Sequence, residues 1–396
     1  MKRSLALLSL LALAACSDQT KVPTNAEPSI PLPSVSPDGG YIVVLREGAN
    51  PTSVAAVAGI RPRFVYTAVL NGFAARLNDG QLNALRHNPS VAYIDPDTRA
   101  QLMVTQSPVT WGLDRIDQRD LPLSNSFTYG YTGKGVIAYV LDTGVNSKHK
   151  DLYPRAGYIP NGSYGDFVGD GHGSAEDCHG HGSHVAGTIG GTTYGVAKLV
   201  TIQAGRVVDC GGNGSASMVI YAMEWIRRYG DRPAVVNMSL GYGDVQSVRD
   251  AATRLVSAGY FVTAAAGNGN FAGVPQNACL QAPAGALTVM TVGSTRSDDS
   301  ESSFSNYGRC VDILAPGSSV TSLWVGSYTA THVQSGTSMA TPHVAGVAAQ
   351  YLSYAPATTP ADLTTILLHW STYGRITLHS ASLGGGTPNK LLYTRF

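Results

Sequence analysis

Three short segments of the chain place chemically capable side chains beside small residues. Val140-Leu141-Asp142-Thr143-Gly144 ends an apolar run with a carboxylate. His179-Gly180-His181-Gly182-Ser183-His184 opens a small-residue stretch with imidazoles, and Gly336-Thr337-Ser338-Met339-Ala340 opens another with a hydroxyl. A serine hydroxyl is a poor nucleophile at neutral pH, so Ser338 needs a base to take its proton as it attacks a carbonyl. A neutral imidazole titrates in the right range. A carboxylate such as Asp142 can hold that imidazole in one tautomer and stabilise its charged form. Ala265-Ala266-Gly267-Asn268 ends a further apolar run with a side-chain amide that could meet an oxyanion, although Asn268-Gly269 taken alone reads as a turn. The chain has 10 His, and any one of them by itself would read as a surface or core imidazole. His184 and His343 are expected to pack rather than react. The His181-x-x-His184 pair lacks the Glu of a His-Glu-x-x-His zinc site.

Such groups act together only if the fold brings them to one rim. Segments 136–141, 199–208, 234–238, 260–266 and 287–292 are near-continuous apolar runs of strand length, the pattern of a parallel sheet covered on both faces. Segments 218–229 and 248–257 carry apolar residues at three and four spacing. Alternating strands and helices imply an α/β fold with a doubly wound, mostly parallel sheet, which binds ligands at the carboxyl ends of its strands. Ahead of it, segment 41–46 reads as a strand, 52–58 as a helix, 64–77 as two strands meeting at Asn71-Gly72, 81–87 as a helix and 91–94 as a strand. That β-α-β-β-α-β order predicts a small ferredoxin-like α+β unit. Segment 99–108 is polar and strandless, a natural boundary.

At the N-terminus Lys2 and Arg3 precede a short apolar stretch, about a dozen residues against the ~20 a spanning helix needs, so residues 1–16 read as an export signal. Leu13-Ala14-Ala15-Cys16 resembles the bacterial lipobox, in which the Cys carries lipid; the alternative is a plain signal-peptidase site that happens to precede a Cys. Residues 17–38 are rich in Pro, Ser and Thr and read as a linker. No later segment is long and apolar enough to span a bilayer, which points outside the cytoplasm, to a secreted, extracellular or periplasmic location.

Cys178, Cys210, Cys279 and Cys310 form no C-x-x-C cluster, so zinc is disfavoured and disulfides fit an oxidising compartment. Of the three pairings, Cys178–Cys210 with Cys279–Cys310 is favoured because each closes a local loop, contributing about 2 to 4 kcal/mol apiece. Lys plus Arg is 27 against Asp plus Glu 26, and charged residues are 13% of the chain, which excludes a nucleic-acid binder built on clustered cations. With 43% hydrophobic residues the chain is not disordered.

Asp142-Thr143-Gly144, His181-Gly182-Ser183-His184 and Gly336-Thr337-Ser338-Met339-Ala340-Thr341-Pro342-His343, in that order, resemble the three active-site blocks of subtilisin-like serine proteases. Trp111-Gly112-Leu113-Asp114-Arg115-Ile116-Asp117-Gln118 and Phe304-Ser305-Asn306-Tyr307-Gly308 point to the proteinase K branch of that family, close to aqualysin. The resemblance covers residues 111–396, and 41–97 is similar to the family's inhibitory propeptide. It implies a serine endopeptidase with Asp142, His181 and Ser338 as triad, and Asn268 with the Ser338 N–H as oxyanion donors. Ser239, Leu240 and Gly241 would form one wall for the residue before the cut and Ala265, Ala266 and Gly267 the other, with Gly212 and Gly214 further upstream. Two departures stand near the site: Ser183 replaces a Thr, and His179 sits where the branch usually has Asn.

The resemblance also implies structural calcium, at Asp312 with the carbonyls of Leu287 and Val289, and at Asp114, Asp117 and Gln118 with Ser124 and Asn125. No organic cofactor is implied. The acidic stretch 166–177 is expected to be a solvated loop. A zymogen follows, with a propeptide at 39–103 as intramolecular inhibitor, a self-made cut near Met103-Val104, and a catalytic domain at 104–396 acting on polypeptides. With no Asp or Arg marking the pocket walls, apolar or aromatic preference and broad specificity are expected. A non-catalytic binding homologue would lack a triad member, and none is missing. An esterase of the α/β-hydrolase type would carry a G-x-S-x-G elbow and a Ser, acid, His order, and neither occurs.

Overall fold

The computed structural model describes residues 39–97 and 102–395; the export signal, the linker and Cys16 lie outside the described residues. The N-terminal unit runs β1 (Gly40–Leu45), α1 (Pro51–Val57), β2 (Phe64–Tyr66), β3 (Gly72–Arg76), α2 (Asp79–Arg86), β4 (Val91–Pro96), the predicted order. Its four strands pair antiparallel in the order β2-β3-β1-β4. Alternation along the strands sends Val43 and Phe73 to the helix-covered face, where they join Leu82 and Leu85 in one core. Asn50 caps α1, and Asn78 with Gln81 forms a reciprocal capping box on α2. The turn expected at Asn71-Gly72 lies elsewhere. The link between the strands is 67–71, and Gly72 belongs to β3, where an added Cβ would lie 2.2 Å from the Val43 carbonyl oxygen. Close strand approach, not turn geometry, requires that glycine. Asn71 instead donates its amide to the carbonyls of Arg46 and Ala49.

The boundary stretch is not strandless. It contains β5 (Val104–Gln106), which after α3 (Trp111–Ile116) pairs antiparallel with β6 (Phe127–Tyr129); three residues are too few to show a strand period. The large sheet begins with β7 (Ile137–Asp142) and β8 (Ala156–Tyr158). It continues through α4 (His181–Gly190), β9 (Thr201–Arg206), α5 (Ala216–Tyr229), β10 (Ala234–Met238), α6 (Gln246–Ser257), β11 (Phe261–Ala265) and β12 (Met290–Thr295). β13 (Ile313–Pro316), the hairpin β14 (Val320–Leu323) and β15 (Thr331–Gln334), α7 (Thr337–Tyr354), α8 (Pro360–Trp370), β16 (Thr372–Tyr373), α9 (Ser380–Gly385) and β17 (Lys390–Leu391) complete the chain. The order is β16-β17-β13-β12-β11-β10-β7-β9-β8, parallel except for the β16/β17 pair.

Helices cover both faces, as the apolar strand runs predicted. Residues of α4, α7 and α8 pack on one side, and Val219, Ala222, Met223 and Ile226 of α5 with Val248, Ala252 and Leu255 of α6 on the other. β12 starts at Met290, later than expected, because 281–289 is turn-rich and Leu287 points into solvent. The acidic stretch 166–177 is a solvated loop only along 169–173; its ends are buried. Fully buried Arg206 pairs with Asp166 and Asp170, and Asp177 is itself buried. A buried guanidinium demands carboxylate partners, and these residues supply them. Both disulfides have the sequential pairing, Cys178–Cys210 and Cys279–Cys310. Among the described residues no helix is long and apolar enough to cross a membrane.

Candidate active site

Asp142 is the last residue of β7, at the carboxyl edge where the sheet opens, and is almost wholly buried. His181 begins α4 immediately after Gly180, whose φ of 111° only glycine tolerates well and against which the Trp324 ring packs. His181 Nδ1 donates to Asp142 Oδ1 at 2.7 Å, and the same oxygen accepts the Thr143 N–H at 2.8 Å. A Cβ on Gly182 would lie 2.1 Å from the Gly144 carbonyl oxygen, so glycine there lets helix and strand end close together. About a quarter of the His181 side chain remains exposed. Burial works to lower its pKa, but the charge and hydrogen bond of Asp142, with Asp177 beyond, outweigh it and hold the ring above the ordinary 6.5.

Asp177 was not legible as part of this site. It accepts from Thr143 Oγ1, from the N–H groups of His179 and Gly180, and from the N–H and Oγ of Ser183. Thr143 Oγ1 in turn accepts the Gly182 N–H at 2.9 Å. One buried carboxylate thus locks the turn that delivers His181.

Ser338 is the second residue of α7. Pro342, four residues on, lacks an N–H, so the Ser338 carbonyl has no helical donor; Ser239 Oγ fills the vacancy at 2.9 Å. Ser338 Oγ donates to the Ser239 carbonyl at 3.0 Å, and no hydrogen bond joins it to His181 among the described residues. Catalytic hydrogen bonds are often long or misaligned without substrate, and a hydroxyl rotates in picoseconds to nanoseconds. Asn268 follows β11, and its Oδ1 accepts both the N–H and the Oγ1–H of Thr337, at 2.8 and 2.9 Å. With the oxygen so engaged, Nδ2 is left as the outward donor. Thr337 is the orienting residue that sequence reasoning quoted but assigned no role.

Ser239, Leu240, Gly241, Gly212 and Gly214 line one cleft of about 470 Å³ with His181, Asp142, His179 and Tyr242. Ala265, Ala266 and Gly267 contribute differently. Ala266 is fully buried against Ala278 and Val311, with its N–H bonded to Val292 and its carbonyl to Asn306 Nδ2, so it has nothing to offer a ligand. Ala265 is nearly buried, and the Gly267 N–H is taken by Thr337 Oγ1. As expected, His184 and His343 pack: each bonds a main-chain carbonyl, of Val320 and Met339, and burial lowers both rings to about 4.

The expected cation ligands fall in two places. Asp114 accepts from the N–H and Oγ of Ser124 and from the N–H of Asn125, while Gln118 Oε1 accepts the Ser124 N–H. Asp117 beside it receives the Thr128 N–H on Oδ2, but its buried Oδ1 has no partner among the described residues. Burial pushes the Asp117 carboxyl up to about 6, with the charge of Asp114 adding to the rise. Asp312 accepts the Thr291 N–H at 2.8 Å, and burial likewise pushes it up to about 6.

Comparison with known proteins agrees with this geometry. The model of the subtilase family matches residues 133–387, and that of the peptidase inhibitor I9 matches 40–103. The chain belongs to the subtilase family. This subtilase is a serine endopeptidase preceded by an inhibitory propeptide of the I9 type. It is 44% identical over 418 residues to an extracellular serine proteinase of Thermus sp. (strain Rt41A), covering 98% of each chain. It is also 44% identical to alkaline serine exoprotease A of Vibrio alginolyticus, over 85% of this chain and 60% of that one. A solved cold-adapted subtilisin-like serine proteinase superposes with a TM-score of 0.66 at 46% identity, covering 73% of this subtilase and all of its own chain.

Proposed function

We propose that this subtilase is a secreted, self-processing endopeptidase with Asp142, His181 and Ser338 as its catalytic triad. The observation that carries the assignment is the 2.7 Å bond from His181 Nδ1 to Asp142, which leaves Nε2 with the lone pair at the mouth of the cleft. Ser338 Oγ, turned from the Ser239 carbonyl toward Nε2, attacks the scissile carbonyl carbon while its proton passes to His181. The oxyanion is met by Asn268 Nδ2 and the Ser338 N–H near the start of α7. The C–N bond breaks, His181 protonates the departing amine, and water deprotonated by the same ring hydrolyses the acyl ester. A serine-directed phosphonylating reagent should give one adduct, at Ser338; labelling of any other serine alone would end the assignment.

Extended peptide would lie along the Ser239–Gly241 and Gly212–Gly214 segments as an added strand, and the absence of a charged residue at the wall supports broad apolar or aromatic preference. Asn268→Leu should lower kcat by about 10²- to 10³-fold with KM little changed, because the donor acts only on the transition-state oxyanion. Steady-state kinetics that put the loss in KM would contradict the role.

The propeptide match ends at 103, one residue before β5, which supports a cut at Met103-Val104. In the uncut chain Gln106 bonds Thr193, past the far end of the 10-residue α4 and about 15 Å along it from His181, so self-cutting at Met103-Val104 requires this segment to leave Thr193 and reach the cleft. Export is supported by the N-terminal apolar run, and Cys16 would keep the released propeptide on a membrane.

Calcium is proposed for stability. Asp117 Oδ1, without a partner among the described residues and beside the Asp114 carboxylate and Gln118, belongs to the donor set a hard cation would complete, and Asp312 with the Leu287 and Val289 carbonyls would form a second site. At a hundredfold excess over Kd the ion should raise the Tm by about 5 °C, an increment that chelator removes and Asp117→Asn diminishes. A Tm indifferent to chelator in calorimetry would exclude both sites.

A further inference from the structure

We propose that His179 is a specificity-determining residue, whose Nε2–H favours peptides with an amide or carboxylate side chain two residues upstream of the scissile bond. The inference rests on the peptide-binding reading of the cleft. His179 lines that cleft with His181, Gly212 and Ser239. Its backbone is held by the bond to Asp177 and by the Cys178–Cys210 disulfide, which ties the preceding residue to the loop carrying Gly212. Its ring is held as well. The His181 N–H donates to His179 Nδ1 at 3.3 Å, so Nδ1 carries the lone pair and the ring proton sits on Nε2.

The two imidazoles meet edge to face with centroids 6.4 Å apart. A Cβ built on Gly212 would lie 3.5 Å from His179 Nε2, so the donor sits at the glycine edge of the cleft. Nε2 bonds nothing among the described residues, and the side chain is exposed.

Successive side chains of an extended peptide point to opposite sides. With the residue before the cut directed at the Ser239–Gly241 wall, the next one upstream turns toward His181 and His179. A leucine there displaces water from Nε2–H and leaves the donor unpaired, whereas a glutamine or glutamate oxygen replaces that water.

The test uses matched peptides differing only at that position, Gln against Leu and Glu against Met, with wild type, His179→Asn and His179→Leu. In wild type kcat/KM should favour the oxygen-bearing peptide of each pair by about three- to tenfold. His179→Asn, which retains an amide donor, should keep part of the ratio, and His179→Leu should lose it. Equal ratios in all three chains overturn the proposal, as does a ratio that vanishes in Tyr242→Phe and persists in His179→Leu. If the wild type cuts none of the peptides, the proteolytic reading has failed instead. The same ratio, read as the affinity of the wild-type and His179→Leu chains for the uncut peptides by calorimetry, then decides the role of His179.

Discussion

The Ser338→Ala chain should accumulate as uncut precursor and hydrolyse peptides about a millionfold more slowly, the loss subtilisin itself suffers without its nucleophile. The size of the effect follows from the covalent step. Without Oγ, His181 has no proton to take and no acyl ester forms, so water must attack directly with only the oxyanion donors and binding to help it. Alanine should leave the fold intact. The Ser338 carbonyl still receives Ser239 Oγ, because that acceptor was freed by Pro342 and not by the side chain; only the bond from Ser338 Oγ to the Ser239 carbonyl disappears. Mass spectrometry of the exported protein is the measurement. Wild type should yield a chain starting at or near Val104, and the variant a chain that retains 39–103. If Cys16 is acylated, the variant should also partition with membranes while the wild-type catalytic domain goes free. A purified Ser338→Ala chain that still cuts itself near Met103-Val104 would remove both the nucleophile assignment and the self-processing.

Much of the molecule was legible because burial leaves a period and chemistry leaves a motif. The parallel strands announced themselves as apolar runs: all of β10 and β11 is covered on both faces, and every residue in them but Asn237 and Thr263 is apolar. β5 was missed because its neighbour is another three-residue strand and its residues face solvent. The polar framework was missed for a different reason. Asp177 and Asp166 lie in a stretch that looks solvated, since an acidic residue in a Gly- and His-bearing segment carries no mark of what it will accept. Only the folded chain brings Ser183 and Thr143 to Asp177, 34 positions from Thr143 along the sequence, and buries Arg206 against Asp166. Ser239 is intermediate. Its motif identified a substrate wall, whereas its bond to the Ser338 carbonyl could have been sought from the Ser338-x-x-x-Pro342 spacing, which guarantees an orphan acceptor at the nucleophile.

Asp142→Asn should cost about 10⁴ in kcat while keeping the shape of the site, as the same change does in another serine-protease triad. The carboxylate oxygen that accepts from His181 Nδ1 is replaced by an amide, and an NH₂ turned to that nitrogen makes Nδ1 the acceptor. The ring proton then sits on Nε2, where Ser338 needs a lone pair. The change should also move the pH profile. In the wild type, Asp142 holds the His181 pKa above 6.5 against burial; catalysis needs the neutral ring, so the acid limb of kcat/KM should have its midpoint above 6.5, with activity lost as pH falls through it. Without the carboxylate, burial is opposed only by the charge of Asp177, and the limb should shift to lower pH. Stability moves with the opposite pH dependence. A histidine whose folded pKa is raised contributes stability that is full below its unfolded pKa and is lost as pH rises through the folded one. Asp142→Asn should therefore destabilise the protein more at pH 5 than at pH 9. Urea titrations at the two pH values, with the kinetic profile, test the linkage. A variant whose acid limb does not move would mean that something other than Asp142 sets the imidazole, and the pairing at the rim of β7 would lose its catalytic meaning.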